Sequence, residues 1–287
     1  MIRIYKCPLK IIFIHMKPNE QTRAFLQSLS LQRLSGNTVK AYENAIMRYY
    51  RHFDRLSPAH LLSFQTLLTS RYSPRTANLS IIGINKYLTY LGKPNWHLSV
   101  QRIQHCGFLE NVITLDEYQQ MLDFTSRICA TKYYCIIRTL ALTGARVSEL
   151  KQFRIEHIRQ GYMDIVSKGN KQRRIYLPDS LCRDLHQWCE SEHRDMGPLF
   201  LGRKGKPMTE RGIAKALETV ARACGINPKV AHPHSFRHMF AKNFIRRKCD
   251  LALLADILGH ESLETTKIYL RCTSEEQRTM INDIVSW

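Results

Sequence analysis

Thr143-Gly-Ala-Arg-Val-Ser-Glu-Leu150 decides how the chain is read. The preceding stretch, Thr131 to Thr143, has helical spacing; Gly144 stops it, Arg146 stands in the corner, and a new helix begins. An Arg in such a corner can turn its planar fork toward a phosphate while nearby backbone N–H groups point the same way. The same Arg can equally pair with Glu149, three residues on, across a surface turn. What surrounds the segment has to choose between these two uses.

Upstream, Thr114-Leu-Asp-Glu117 is a capping box that opens a helix to about Arg127. Downstream, Met163-Asp-Ile-Val166 and Arg174-Ile-Tyr-Leu177 read as strands around the polar turn Lys168-Gly-Asn-Lys171, a β-hairpin closed by Pro178. From Asp179 the pattern is helical again almost to the end, interrupted at 198–209 and 225–233. His232-Pro-His-Ser-Phe-Arg-His238 puts His234 and Arg237 three apart at a helix start, where both can donate to one anion; His238 then points elsewhere, into packing. The histidine density suggests metal, but the spacing is not HExxH and no carboxylate or Cys stands at ligand spacing, so no metal is expected. In Leu258-Gly-His-Glu-Ser-Leu-Glu-Thr-Thr-Lys-Ile-Tyr-Leu270, Gly259 ends a helix, His260 follows, and Ser262 caps the next helix, which carries Tyr269. A last helix, capped by Ser274, carries Met280, Ile281, Ile284 and Trp287.

Residues 17–92 read as a separate all-α bundle. Asn37 or Thr38 caps a helix to about Phe53, with Tyr42, Ile46, Tyr49 and Phe53 on one face. Ser57-Pro58 and Ser73-Pro74 each set a capping hydroxyl before Pro at the first helical position. The helix from Pro74 carries Leu79, Ile82, Lys86 and Tyr90 and ends at Gly92. Residues 93–110 read as a linker, and 111–287 as the second domain. Residues 1–16 are too short in apolar core for a signal peptide, and Met16 is a candidate for the true start.

Charge fits a polyanion partner. The 287 residues carry 43 Lys and Arg against 24 Asp and Glu, a net +19. Single surface cations are ordinarily just solvated, but the excess on so small a bundle reads as phosphate contact, with Lys40, Arg48, Arg71, Arg75 and Lys86, and Lys171 and Arg173 of the hairpin, as candidates. No apolar run reaches the roughly 18 residues of a membrane span. Nine scattered Cys without a CxxC pair fit reduced thiols, and so a cytoplasmic, nucleoid-associated protein.

In this order, TGARVSEL, SKGNKQR, HSFRHMFA and LGHESLETTKIY resemble the signatures of the tyrosine recombinases, or phage integrase family, and the basic bundle resembles that family's core-binding domain. The resemblance implies a mainly α fold with a small β-hairpin, the two domains forming a C-shaped clamp on double-stranded DNA. It assigns Arg146 and Arg237 to clamp the scissile phosphate, His260 to add a donor, Lys168 to protonate the departing 5′ oxygen, His234 to act as general base, and Tyr269 to attack. Lys171 stands close enough to Lys168 to compete for the lysine role. Glu149 would hold Arg146 or the hairpin from behind. The implied product is a 3′-phosphotyrosyl link, made without ATP, metal or other cofactor, then resealed by a 5′ hydroxyl. A homotetramer joined through the C-terminal segment is expected on DNA, with a directionality factor as a possible further partner. Ala145 and Phe236 stand where Leu is usual in the family and touch no reacting group. Two other readings stay open: a type IB topoisomerase-like relaxing enzyme, and a catalytically silent DNA-binding accessory protein.

Overall fold

The computed structural model describes residues 20–32, 34–103, 111–167, 171–202, 204–248, 250–260, 262–270, 278 and 281–282. The chain divides into two compact units, residues 1–105 and 106–287.

The first unit holds α1 (Glu20–Leu31), α2 (Gly36–Tyr50), α3 (Pro58–Arg71) and α4 (Pro74–Tyr90). Ser57 and Ser73 cap α3 and α4, each followed by Pro. The cap of α2 is Ser35, whose side chain accepts from the Thr38 N–H, so Asn37 and Thr38 lie inside the first turn. Tyr42, Ile46 and Tyr49 of α2 are buried with Phe25, Phe64, Ile81 and Tyr87. Phe53 lies beyond the end of α2 and is half-buried against this core.

The buried stripe of α4 runs through Ala77, Ile81, Ile84 and Leu88, at the spacing of a helix wedged between two neighbours. Gly83 lets α2 come close; a Cβ there would sit 3.0 Å from that of Ala45. Leu79, Ile82 and Tyr90 are consequently left on the exposed side. Lys40, Arg71, Arg75 and Lys86 are exposed too. Arg48 is not free: its Nη1 donates to Ser80 Oγ at 2.7 Å, and its guanidinium lies 4.4 Å from the Tyr72 ring centroid. It remains half-buried at the joint between α2 and α4.

Part of the expected linker is structured. Asn85 donates to Leu98 O at 2.8 Å and accepts from Leu98 N at 2.9 Å. Asn78, two turns earlier on the same face, does the same with Gln101, both at 2.8 Å. The two amides thus imitate a neighbouring strand and hold the extended chain on α4.

The second unit contains α5 (Leu115–Arg127), α6 (Thr131–Thr143), α7 (Val147–Leu150), α8 (Ile155–Gln160), β1 (Tyr162–Ser167), β2 (Lys171–Tyr176), α9 (Asp179–Ser191), α10 (Glu210–Ala223), α11 (Pro233–Lys248), α12 (Leu251–Leu258) and α13 (Leu263–Lys267), with a 3-10 turn over Ile268–Leu270. α6 is the axis: α5, α7, α9, α10 and α11 all pack on it. It is buried nearly all round, through Cys135, Ile136, Ile137, Leu140 and Ala141, as expected of a helix without a wet face. The strands pair antiparallel in the register Tyr162↔Tyr176 to Ser167↔Lys171. The fold is mainly α with one small antiparallel sheet. The expected terminal helix from Ser274 lies outside the described residues, apart from Arg278, Ile281 and Asn282. No helix among the described residues is long and apolar enough to cross a membrane.

Replacing Asn78 and Asn85 together by Ala should free the Leu98 and Gln101 amides to exchange, at a cost of about 1 kcal/mol per lost hydrogen bond at most. Hydrogen exchange followed residue by residue checks this; protection surviving in the double variant would contradict it.

Candidate active site

The site gathers where α12 ends. Its last carbonyls have no partner inside the helix and carry the negative end of the helix dipole. Gly259 takes the left-handed cap conformation there, with φ +63°. Three arginines from three elements meet this end. Arg173 of β2 donates through Nη1 to Ile257 O. Arg237 of α11 donates to Leu258 O at 2.7 Å, and Arg146 to Gly259 O at 3.3 Å.

Arg237 is 1% exposed, yet its donors are matched. Nη1 reaches the carbonyl of Gly144, the cap of α6, at 2.8 Å, and Nη2 lies 3.0 Å from His260 Nε2. The Tyr269 side chain stands near enough to favour the charged guanidinium. Burial, then the charge of Arg146, lower its pKa to about 10, which still leaves a cation at neutral pH.

Arg146 keeps part of its side chain, 39%, open to solvent. Glu149 accepts from its backbone N–H and from Nη1, both at 2.8 Å. The ion pair foreseen for the corner is present, and the rest of the Arg146 side chain stays partly open to solvent. Glu149 is buried and also receives Arg173. Burial pushes its carboxyl up, but the Arg173 charge and the hydrogen bonds from both arginines outweigh this and hold it below the usual range. Arg173, expected on DNA, is instead 7% exposed in its side chain and spent on Glu149 and Ile257. The strand register explains the correction. Arg173 pairs with Ile165 on the buried face, while Arg174 points out and pairs with Asp164 at 2.8 Å.

Tyr269 is 3% exposed, its ring stacked on His260 at 5.9 Å between centroids. His260 Nδ1 meets the buried Thr266 hydroxyl at 2.7 Å. With Arg237 donating to Nε2, the proton belongs on Nδ1 and Thr266 accepts it. Burial and the charges of Arg237, Arg146 and Arg173 lower His260 to about 4, so it is neutral.

His234 sits exposed at the start of α11. It reaches Tyr269 only through His238, whose ring is edge-on to His234 at 4.5 Å and to Tyr269 at 5.1 Å. Sequence reasoning sent His238 away into packing. In fact α11 places residues 234 and 238 one turn apart on one side, and the i, i+4 spacing was the signal that could have found it. Burial and the neighbouring His234 lower His238 to about 4, and its Nδ1 is buried without a partner. Partial burial and the Arg237 charge lower His234 as well. Lys168 and the Lys171 side chain lie outside the described residues.

Arg146, Arg237 and His260 thus gather at the end of α12, with the Tyr269 ring stacked on His260, and cations gathered beside a phenol are the kind of groups that phosphoryl transfer to tyrosine calls for. Residues 111–276 match the model of the phage integrase family, and the chain belongs to that family. The tyrosine recombinase XerD of Listeria monocytogenes is 26% identical over 282 residues, covering 89% of this chain and 95% of that protein. The tyrosine recombinase XerC of Lactobacillus delbrueckii is 33% identical over 143 residues, covering 47% of this chain and 48% of that protein. Among solved structures, the XerH site-specific recombinase bound to palindromic difH substrate aligns with a TM-score of 0.70 at 20% identity, covering 87% of this chain and 79% of that one. A λ integrase tetramer bound to a Holliday junction aligns at 0.69 and 14% identity, covering 87% and 76%. These structural likenesses bear on the fold.

His238 and His260 are neutral in the fold and ordinary in the unfolded chain, which therefore binds more protons between about 6.5 and about 4. Stability should fall as pH drops through that window and level off below it. Urea unfolding across pH, compared with a His238→Asn/His260→Asn variant, measures the contribution; parallel curves for the two proteins would refute it.

Proposed function

We propose that this tyrosine recombinase cuts, exchanges and rejoins duplex DNA at short, partly symmetric sites through a 3′-phosphotyrosyl link on Tyr269. The observation that carries the proposal is the meeting of Arg146, Arg237 and His260 at the end of α12, with the Tyr269 ring stacked on His260. A phosphodiester anion resists attack by another anion, so its charge must be neutralised first. Arg146, partly open to solvent, and Arg237, rigid behind it, would clamp the non-bridging oxygens and bear the charge added in the pentavalent transition state. The Arg237 charge also stands near the Tyr269 side chain, where charge gathers during attack.

A phosphate entering the seat would take over the Arg237 contact of His260. The Thr266 hydroxyl can then turn from acceptor to donor, and the imidazole proton moves to the Nε2 side, where it can serve the oxyanion. His234, neutral at the mouth and in ring contact with His238, is the proposed acceptor of the phenol proton. Lys168 is the proposed donor to the leaving 5′ oxygen, with Lys171 as the alternative. Bond energy is kept in the tyrosyl ester, so the resealing hydroxyl needs no ATP.

The basic helical bundle of residues 17–92 is proposed as the core-binding domain that grips the duplex together with the catalytic domain of residues 111–287. Exposed Lys40, Arg71, Arg75 and Lys86 are its proposed phosphate contacts. An apolar groove of about 360 Å³ between α5, α6 and α11, lined by Leu115, Leu142, Met239, Phe240 and Phe244, is the proposed seat for the C-terminal segment of a neighbouring copy in a DNA-bound tetramer. A directionality factor and a cytoplasmic, nucleoid-associated setting complete the proposal.

A nicked suicide DNA substrate tests the chemistry. The wild type should trap a covalent adduct; Tyr269→Phe should lose it and keep DNA binding; Arg146→Ala or Arg237→Ala should slow it by about 10²–10³-fold. An adduct that survives Tyr269→Phe refutes the assignment. Supercoil relaxation without strand exchange would select the topoisomerase-like activity, and binding without an adduct the silent accessory role.

Truncation after Cys272 should leave single-site binding intact and abolish tetramer formation on DNA, read by gel filtration. Unchanged assembly would refute the trans-docking role.

A further inference from the structure

The geometry points to Arg173 as a positioning residue that locks the β-hairpin, the Glu149–Arg146 pair and the turn carrying His260 into one unit. The inference rests on the proposed strand-transfer chemistry and extends it to a residue whose side chain is buried behind the site.

Strand alternation puts Arg173 on the buried face of the hairpin with Met163, Ile165, Ile175 and Leu177, all below 9% exposure. A cation on such a face needs partners; both terminal nitrogens have them, while Nε is buried without one. One nitrogen, Nη2, holds the Glu149 carboxylate, whose other oxygen holds Arg146 at 2.8 Å. The other terminal nitrogen, Nη1, holds Ile257 O, two residues before Gly259 and three before His260. Gly259 is shaped around this passage: a Cβ there would stand 2.4 Å from Arg173 Cδ and 2.9 Å from Nε. One planar side chain therefore fixes the distance between strand β2, the Arg146 corner and the end of α12.

Electrostatics gives the lock a distinctive readout. The charged groups facing the Glu149 carboxylate are Arg146 from its own turn and Arg173 from β2, among the described residues. From α10, packed on α7, Glu210 pairs with Lys151 at the surface instead. Arg173 is the strongest influence holding this carboxyl down against its burial. Without it, burial is opposed only by the two Arg146 hydrogen bonds, and Glu149 takes up a proton at higher pH than in the wild type.

The test compares wild type, Arg173→Met, Arg173→Lys and Arg173→Met/Glu149→Gln in three assays: covalent adduct formation on a suicide substrate across pH, duplex binding, and urea unfolding. Arg173→Met should cut adduct formation by about 10²-fold, the scale of a small displacement remote from the reacting atoms, with duplex binding within about twofold. The loss should deepen as pH falls through the neutral range, and Glu149→Gln should remove that extra pH dependence because the titrating group is gone. In unfolding, which is independent of activity, the stability gap between wild type and Arg173→Met should widen as pH rises out of the carboxylate range, where Glu149 is charged in its buried place with Arg146 as its one remaining cation. Arg173→Lys keeps a charge beside Glu149 but cannot span both partners. It should lose about tenfold or more in adduct formation without the extra pH limb. If Arg173→Met does not fold, Arg173→Lys decides alone, and wild-type cleavage by it overturns the inference. A loss in Arg173→Met that is equal at all pH values, or a parallel loss of DNA binding, overturns it too. Wild type that forms no adduct while the unfolding gap behaves as stated refutes the proposed function and leaves the lock standing.

Discussion

Three consecutive carbonyls at the end of α12 hold the second unit's chemistry together. Ile257, Leu258 and Gly259 each accept from a different arginine, and those arginines arrive from β2, α11 and the corner after α6. A helix end offers about half a negative charge and unpaired acceptors, and each cation placed there is favoured by roughly 0.3–1 kcal/mol, more where partly buried. Three like charges nonetheless repel one another. The Arg237 pKa, lowered to about 10, records both burial and that repulsion. Glu149 supplies the only full negative charge among the contacts described at this cluster, and it is shared between Arg146 and Arg173. The arrangement is therefore balanced toward accepting one more anion.

Much of this was legible in the chain. Gly144 and Gly259 stop α6 and α12 where their lack of a Cβ requires, both in the left-handed cap conformation. The hairpin, the capping box at Thr114 and the Ser-Pro starts follow from local chemistry, which sequence states directly. The gathering of Arg146, Arg237, His260 and Tyr269 was legible only as a resemblance, since nothing local says that segments so far apart in sequence will meet. Two of the candidate phosphate contacts already have partners inside the fold: Arg48 meets Ser80 between helices, and Arg173 meets a carboxylate deep in the second unit. Net charge cannot distinguish a cation that faces solvent from one used as a strut. Strand parity could have separated Arg173 from Arg174, and helical spacing could have joined His238 to His234.

The linker shows the same limit from the opposite side. Residues 93–110 read as featureless because a strand-like segment needs partners, and here the partners are two side chains of a helix. Asn78 and Asn85 are seven apart, so both face one way, and their amides replace a strand that is missing. Periodicity within the segment itself carries no trace of this.

The near-complete enclosure of Tyr269 has a consequence for fidelity. A phenol 3% exposed, covered by two imidazoles and near a guanidinium, is sheltered from stray nucleotides and small esters in solution. To expose it, a visitor must outcompete contacts that the protein makes with itself. A long polymer gripped at many points has that surplus of binding energy; a small metabolite does not.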